Sequence, residues 1–286
     1  MRRADGWRLP SPVLVLGAIA SVQLGAALAK PSFDRTGPVG MVMLRLAVGA
    51  LVLLAVARPR LRGRGRGELL PVLAFGAVLA GMNTSFYGAI DRIPIGIAVT
   101  IEFSGPLAVA VAGSRRLLDG VWVVLAAAGV VLLTRGGGGS LDPLGLGLAG
   151  VAGLGWACYI LLSQRVGRGY PGVEGLALAT AVAAVLVAPA GVAQAGGALA
   201  DWRVLLVGLG VGLLSAAIPY SLEIEALRRL PARVFGVLMS LEPAVGALAG
   251  LVVLGEALRS HEVLAIALVC VASAGAAWAG RVTPRD

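Results

Sequence analysis

The chain has 286 residues, of which 58% are hydrophobic and 14% charged, and its net charge is +9. An ordinary soluble domain carries about 25% charged residues, so this chain has too few polar side chains to cover a water-exposed surface. Cys158 and Cys270 both lie inside apolar runs, which excludes a disulfide scaffold. The basic residues lie at the ends of apolar runs rather than on one face, which indicates membrane topology and not nucleic-acid binding.

Ten apolar runs are each long enough to cross a bilayer, which takes about 20 residues. In chain order they cover 11–29, 38–57, 69–90, 94–113, 117–134, 143–164, 173–194, 203–222, 232–254 and 262–280. The runs are rich in small residues, which let helices approach closely in lipid. The connections are short, and the glycine-rich stretch 136–140 is typical of a flexible connector. We therefore predict an all-α polytopic membrane protein with ten transmembrane helices.

The arginines predict how these helices are oriented. Alternate connections hold most of the arginines, among them Arg58, Arg62, Arg115 and Arg165, whereas the connections between them hold few. The positive-inside rule then places both termini in the cytoplasm. The first apolar run ends in small residues, as a signal peptide does. It is longer than the usual apolar core of a signal peptide and a second run follows at once, so we expect a retained first helix.

The two halves of the sequence look like copies of one five-helix unit. Arg92-Ile93-Pro94 recurs as Arg229-Leu230-Pro231, and the same spacing pairs Pro106 with Pro243. The predicted repeats cover 11–134 and 143–280. Because five is odd, the second copy inserts upside down relative to the first. Inverted repeats with a site near the bilayer midplane are typical of secondary transporters; a duplication that merely built a scaffold is the alternative.

Placing an ionisable side chain inside a membrane span costs free energy, so such a residue is expected to have a bonding partner or a functional role. Glu102 lies near the middle of the fourth run and Glu242 near the middle of the ninth, each close to a proline that frees backbone carbonyls. Either carboxyl group meets a substrate ammonium or a coupling proton, or else forms a structural hydrogen bond between helices. Arg45 in the second run snorkels to the interface, neutralises Glu102 or binds a substrate carboxylate.

Further polar and aromatic side chains share helix faces and line a predicted cavity, although interfacial anchoring also explains aromatic residues near span ends. The complete set of candidate cavity residues is Gln23, Arg45, Asn83, Tyr87, Glu102, Trp156, Tyr159, Tyr220, Glu223 and Glu242. The sequence contains no metal-binding cluster, no Ser–His pair within the spans and no Walker motif. We therefore expect no cofactor, no catalytic residue and no metal, and an intramembrane enzyme is the disfavoured alternative.

Several longer motifs point to one family. Ile101-Glu102-Phe103-Ser104-Gly105-Pro106, Pro219-Tyr220-Ser221-Leu222-Glu223 and Leu254-Gly255-Glu256 resemble segments of bacterial threonine/homoserine exporters. These exporters belong to the EamA group of the drug/metabolite transporter superfamily, and the likeness covers nearly the whole chain. The resemblance implies an inner-membrane permease with a central cavity that exports small amino acids or related metabolites, with protons as a candidate coupling ion. It also implies that Leu254-Gly255-Glu256 marks a helix end. Export of an aromatic amino acid or an amphipathic drug is the alternative within transport.

Overall fold

The computed structural model describes residues 10–59, 65–112, 117–135 and 141–279, and it contains helices and no β-strand within these ranges. The helices are α1 (Ser11–Ala29), α2 (Phe33–Ala57), α3 (Arg66–Ile90), α4 (Ile95–Glu102), α5 (Ser104–Ala112), α6 (Leu117–Arg135), α7 (Pro143–Gly167), α8 (Glu174–Ala195), α9 (Trp202–Gly212), α10 (Ile218–Arg229), α11 (Ala232–Met239), α12 (Glu242–Ala249) and α13 (Ser260–Ala279). Short 3₁₀ turns follow α1 and α8, and π-helical turns follow α9 and α12. The predicted flexible connector at 136–140 lies outside the described residues.

Seven helical stretches in the described ranges are long and apolar enough to cross a membrane. They are Ser11–Ala57, Gly67–Ile90, Pro143–Gly167, Glu174–Ala200, Trp202–Glu223, Val234–Leu254 and Ser260–Trp278. Two shorter apolar stretches cover Ile95–Val109 and Gly120–Leu133. The predicted all-α membrane protein with several spans is therefore confirmed.

Helix α2 contains a kink that separates its first turn from the rest. Gly37 has a φ of 66°, a left-handed conformation that suits glycine, and a side chain there would collide with Gln194. Pro38 follows and lacks an N–H group. The Gln194 side-chain oxygen accepts hydrogen bonds from the N–H groups of Val39 at 2.7 Å and Gly40 at 3.2 Å. The predicted start of this span therefore coincides with the kink, while the helix itself begins earlier.

Two of the predicted spans, 94–113 and 232–254, are broken near the middle, close to the prolines that stand out in the sequence. Helix α4 ends at Glu102 and α5 begins at Ser104, while α11 ends at Met239 and α12 begins at Glu242. In an unbroken helix the N–H groups of residues 106 and 243 would donate to the carbonyls of Glu102 and Met239. Both positions are prolines and have no N–H group. Each proline instead lies in the first turn of the following helix, where no donor is needed.

Helices at equivalent positions of the two sequence halves pack against each other, α2 with α8 and α6 with α13. Helices α2 and α8 run antiparallel, because Gly40 lies against Ala195 whereas Gly49 lies beside Thr180. The α6–α13 pair is also antiparallel, because Gly129 lies against Ala265 at one end of the seam, while Gly275 of α13 lies against α6 at the other. The glycines allow this close approach. The two halves thus meet along antiparallel seams.

Candidate functional site

A cavity of about 360 Å³ lies between helices from both halves of the chain. Its volume is in the range of small-molecule sites. The predicted site residues in its wall are Gln23, Arg45, Asn83, Trp156, Tyr159, Glu102, Glu223 and Glu242. Tyr87 lies behind this wall, and the side chain of Tyr220, in α10, lies outside the described part of the chain.

Arg45 is held from two sides. Its Nη1 donates a hydrogen bond to Asn83 Oδ1, and its guanidinium carbon lies 5.4 Å from the centre of the Tyr87 ring. Asn83 Nδ2 donates in turn to the Leu79 carbonyl at 2.8 Å, which leaves the amide oxygen for Arg45. Tyr87 is only 1% exposed, so it supports Arg45 by a cation–π contact from within the core. The predicted shared face of Asn83 and Tyr87 therefore serves to orient one cation.

Glu102 lies at the break between α4 and α5 and is buried. The break packs tightly on α7. A Cβ atom on Gly153 would lie 2.9 Å from the Glu102 carbonyl oxygen, and one on Gly105 would strike the Gly153 carbonyl. The ring of Phe103 meets that of Trp156 edge-on, with centroids 5.5 Å apart. Two glycines and an aromatic pair thus fix the position at which the Glu102 carboxyl group enters the cavity.

Gln23 of α1 and Glu242 of α12 face each other across the two halves. Gln23 Nε2 donates to Glu242 Oε1 at 3.2 Å, and the side chains are 2% and 7% exposed. The other oxygen of each group, Gln23 Oε1 and Glu242 Oε2, is buried and has no hydrogen-bond partner among the described residues. Two buried acceptors without donors are unusual, and both belong to residues of the cavity wall.

The sequence analysis missed several residues of the cavity wall, including Thr180 and Ser215. Ser215 lies in the π-helical turn Leu213–Ala217 that joins α9 to α10. Wider turns of this kind are frequent at functional sites. The hydroxyl group of Ser21 donates to the carbonyl of Leu214, within this turn, at 2.7 Å. No residue type marks a π-helical turn in a sequence, so no signal for it was available.

The cavity is acidic and approaches one end of the bundle. Among the described lining residues, three carboxyl groups stand against the single guanidinium of Arg45. The lining includes Gly49 and Leu53 near the end of α2, and Leu176 and Thr180 near the start of α8. The cavity therefore extends toward the end of the bundle at which α2 ends and α8 begins. Such a wall offers a cation for a carboxylate and carboxylates for an ammonium group.

Three ion pairs join the two halves at the opposite end of the bundle. They are Lys30–Glu256 at 2.6 Å, Arg35–Asp201 at 2.6 Å and Arg92–Asp142 at 2.9 Å. In each pair the base belongs to the first half, and the acid belongs to the second half or, for Asp142, caps its first helix, α7. Contacts between opposite charges thus hold the halves together at the described end opposite the one toward which the cavity extends.

Glu256 makes more contacts than an ordinary surface ion pair. Its Oε2 accepts a hydrogen bond from the backbone N–H of Ile95 at 2.9 Å, at the start of α4. Lys30 Nζ also donates to the Ile93 carbonyl at 3.1 Å. Gly255, with a φ of 69°, ends the preceding helical turn and directs the chain toward these partners. The Leu-Gly-Glu element therefore ends a helix and also ties the second half to α4.

Asp142 and Asp201 stabilise the connections at this end. The hydrogen bond from Arg92, followed by that from the Leu144 N–H, holds the pKa of Asp142 below its ordinary value. The hydrogen bond from the backbone N–H of Arg203, followed by that from the Arg35 side chain, lowers the pKa of Asp201. Each aspartate also caps the helix that follows it, α7 or α9.

Known proteins share this sequence and fold. The EamA-like transporter family matches residues 143–278. The threonine/homoserine exporter RhtA of Salmonella typhimurium strain SL1344 is 45% identical over 99% of this chain and 96% of its own length. RhtA of Escherichia coli K12 is 47% identical over 96% of this chain and 93% of its own length. A solved crystal structure with 23% identity has a TM-score of 0.60 and covers 93% of this chain and 95% of its own, which supports the fold.

These relatives are named as exporters, and the matched family consists of transporters. The expectation of a membrane transporter of small molecules, rather than an enzyme, is therefore confirmed. The resemblance on which that expectation rested also extends along nearly the whole chain. This chain belongs to the EamA-like transporter family, within the group of the threonine/homoserine exporters RhtA.

Proposed function

We propose that the chain exports threonine, homoserine and similar small amino acids across the bacterial inner membrane by alternating access. The observation that carries the proposal is one cavity whose wall, built from both halves, holds a positioned guanidinium and several carboxyl groups. A zwitterionic amino acid needs both kinds of partner. The names of the relatives give the same substrate class.

The architecture proposed for this activity is ten spans in two inverted repeats, 11–134 and 143–280, with both termini in the cytoplasm. Three observations support it. Equivalent helices of the two halves pack antiparallel, as inversion about an axis in the membrane plane requires. Helix breaks fall at Phe103 and Ser240, which the repeat spacing pairs, and their φ/ψ angles of −65°/−14° and −66°/−9° are alike. The stretch Ser11–Ala57 has 47 residues, about 70 Å of helix, which is enough for two crossings.

With this topology the structure corresponds to an inward-facing state. The cavity extends toward the cytoplasmic ends of α2 and α8, and the three ion pairs between the halves close the outer end. Outward release of substrate then requires these pairs to part while the inner ends of the helices approach. An exporter loads from the cytoplasm, so this is its loading state.

Within the cavity, Arg45 receives the substrate carboxylate, because its guanidinium is aimed by Asn83 and Tyr87. Glu102, at the helix break, exchanges the coupling proton. Trp156 and Tyr159 provide the apolar wall beside it. Glu223 completes the wall from α10, and Tyr220 of the same helix stays a predicted cavity residue.

The test is exchange of radiolabelled homoserine and threonine by the purified protein in proteoliposomes, against a panel that includes aromatic amino acids. We expect homoserine and threonine to exchange and the aromatic amino acids to compete poorly. Exchange of aromatic amino acids alone would make this chain an exporter of the alternative class. No exchange of any amino acid would contradict the proposal.

The role of Glu102 has its own measurement. Glu102→Gln keeps the shape of the side chain and removes its titration, so we expect homoserine transport that no longer responds to an imposed pH gradient. Exchange of homoserine at equal pH on both sides is the control for a folded, substrate-binding protein. Transport as fast as that of the wild type at every pH would show that Glu102 does not couple protons.

A further inference from the structure

The two unpartnered oxygens between α1 and α12 are the strongest unexplained feature of the cavity. Gln23 and Glu242 already share one hydrogen bond, which fixes how the two groups face each other. That bond leaves Gln23 Oε1 and Glu242 Oε2 as buried acceptors without a donor among the described residues. An unsatisfied buried acceptor costs about 1–3 kcal/mol, and more if it is charged. A ligand that brings N–H donors would remove this cost.

The type of ligand follows from the two groups. Both free atoms accept hydrogen bonds, and one belongs to a carboxyl group in an already acidic cavity. A neutral hydroxyl group has only one donor, whereas a primary ammonium group has three donors and a positive charge. A quaternary ammonium has the charge but no N–H donor. The pair is therefore suited to a primary ammonium group in particular.

A glycine of α12 lies close to the free oxygen of Gln23. Gly246 lies one turn after Glu242 on α12, and a Cβ atom at that position would lie 3.2 Å from Gln23 Oε1. A larger residue there would crowd the free oxygen. The absence of a side chain at Gly246 therefore spares the Gln23 acceptor a close contact with a methyl group.

We propose that Gln23 Oε1 and Glu242 Oε2 form the subsite that binds the primary ammonium group of the substrate, across the seam between the two halves. This inference rests on the proposed function and deepens it. The transporter then requires a free amino group and rejects N-acylated and N-trimethylated forms of the same molecule. Gln23 becomes a specificity-determining residue, because it supplies a fixed acceptor that cannot itself titrate.

The test measures thermal unfolding of the purified full-length protein with 3-aminopropan-1-ol, a primary ammonium without a carboxylate. Propane-1,3-diol and the N-trimethylated form of the amine are the matched probes. We expect only the primary amine to raise the unfolding temperature of the wild type. Gln23→Leu should weaken the apparent affinity for the amine by about tenfold or more, since hydrogen bonds to charged groups are the stronger kind.

Two further variants separate ligand binding from a merely structural role. Gln23→Glu keeps an acceptor at the same position but loses the N–H that donates to Glu242, so it should retain amine binding if the acceptor, and not the tie between the helices, is what matters. Gln164→Leu makes the same change as Gln23→Leu on the exposed face of α7 and should bind the amine as the wild type does. Equal amine affinity in the wild type and Gln23→Leu, or equal binding of the N-trimethylated form, would overturn the proposal.

Homoserine exchange in proteoliposomes distinguishes this inference from the proposed function. If the protein binds the amine through Gln23 but exchanges no amino acid, the ammonium subsite is supported and the exporter proposal is contradicted. Conversely, if the protein exchanges homoserine and Gln23→Leu leaves its affinity for homoserine unchanged, the exporter proposal stands and the ammonium subsite is excluded. If Gln23 only ties α1 to α12, Gln23→Leu lowers the unfolding temperature without ligand, but its affinity for the amine stays that of the wild type.

Discussion

At the residue scale, the geometry of Arg45 matters as much as its charge. Asn83 takes one edge of the guanidinium group, and the Tyr87 ring covers a face, which leaves a planar fork aimed at the cavity. A lysine at this position would keep the charge but lose both the fork and the stacking surface. The position is therefore specific for arginine.

We expect Arg45→Lys to raise the KM for homoserine exchange by about tenfold or more, because a two-pronged contact becomes a single point contact. Arg203→Lys is the matched control. Arg203 also stacks on an aromatic ring, that of Trp202, but at the start of α9 and away from the cavity. Equal losses in the two variants would contradict a binding role for Arg45.

The charge of Asp142 makes a pH-dependent contribution to stability. Its pKa lies below the ordinary 3.8, chiefly because Arg92 donates to it. A lowered pKa means that the stabilisation is fully present above the ordinary value and disappears as the pH falls through the lowered one. Asp142→Asn keeps the helix cap but removes the charge. We expect the variant to unfold at a lower temperature than the wild type at neutral pH, and this difference to shrink as the pH falls below about 4. A constant difference from neutral pH to strong acid would exclude this contribution.

Single residues also show what could be predicted from the sequence. Arg45, Glu102 and Glu242 stand out because ionisable groups are rare in apolar runs. Gln23 was also predicted as a cavity residue, but its pairing with Glu242 was not, because 219 residues separate the two and no local pattern encodes the contact. The role of Tyr87 behind Arg45, rather than on the wall, likewise depends on tertiary packing.

At the scale of helices, the prolines were visible in the sequence but the breaks were not. A proline removes one backbone hydrogen bond, and a membrane helix can either kink around it or end there. Here the chain ends α4 at Glu102, because α7 offers Gly153 and Trp156 as a surface against which the break packs. That surface comes from the other half of the molecule, so a local reading of the fourth run could not reveal it.

The close contact at the break between α4 and α5 predicts that alanine destabilises the protein at residue 105 but not at residue 150. Gly105→Ala would place a methyl group on the Gly153 carbonyl, so we expect destabilisation by about 1–3 kcal/mol. Gly150→Ala on α7 meets open space and should leave the unfolding temperature unchanged or slightly raised. Thermal unfolding of both variants in one detergent makes the comparison. Tolerance of alanine at residue 105 would indicate that α5 and α7 separate easily.

At the scale of the whole molecule, the closure of one end depends on charges. Glu256 joins Lys30 and the start of α4, so it connects both halves where the cavity does not open. An ion pair of this kind contributes up to about 1 kcal/mol. The other two pairs between the halves act at the same end.

We therefore expect Glu256→Gln to shift the protein toward an outward-facing state by up to about fivefold, since 1 kcal/mol is about a factor of five. The measurement is labelling of Met82→Cys in the cavity wall, in a chain without its two native cysteines, by an impermeant thiol reagent added outside. Glu225→Gln is the control, because its partner Arg229 lies on the same helix. Equal labelling of the two variants would show that Glu256 does not hold the outer end closed.

In the proposed topology the three ion pairs between the halves face the external medium, which has a consequence for the setting in which the protein works. Dissolved ions screen exposed charges over about 10 Å at 0.1 M salt and over about 3 Å at 1 M, and Arg35 and Arg92 are 54% and 41% exposed. The salinity of the external medium therefore acts on the cycle without touching any binding site. With that topology we expect concentrated salt to loosen the outer closure and dilute medium to tighten it, so that the surroundings of the cell help to set how readily the transporter opens toward them.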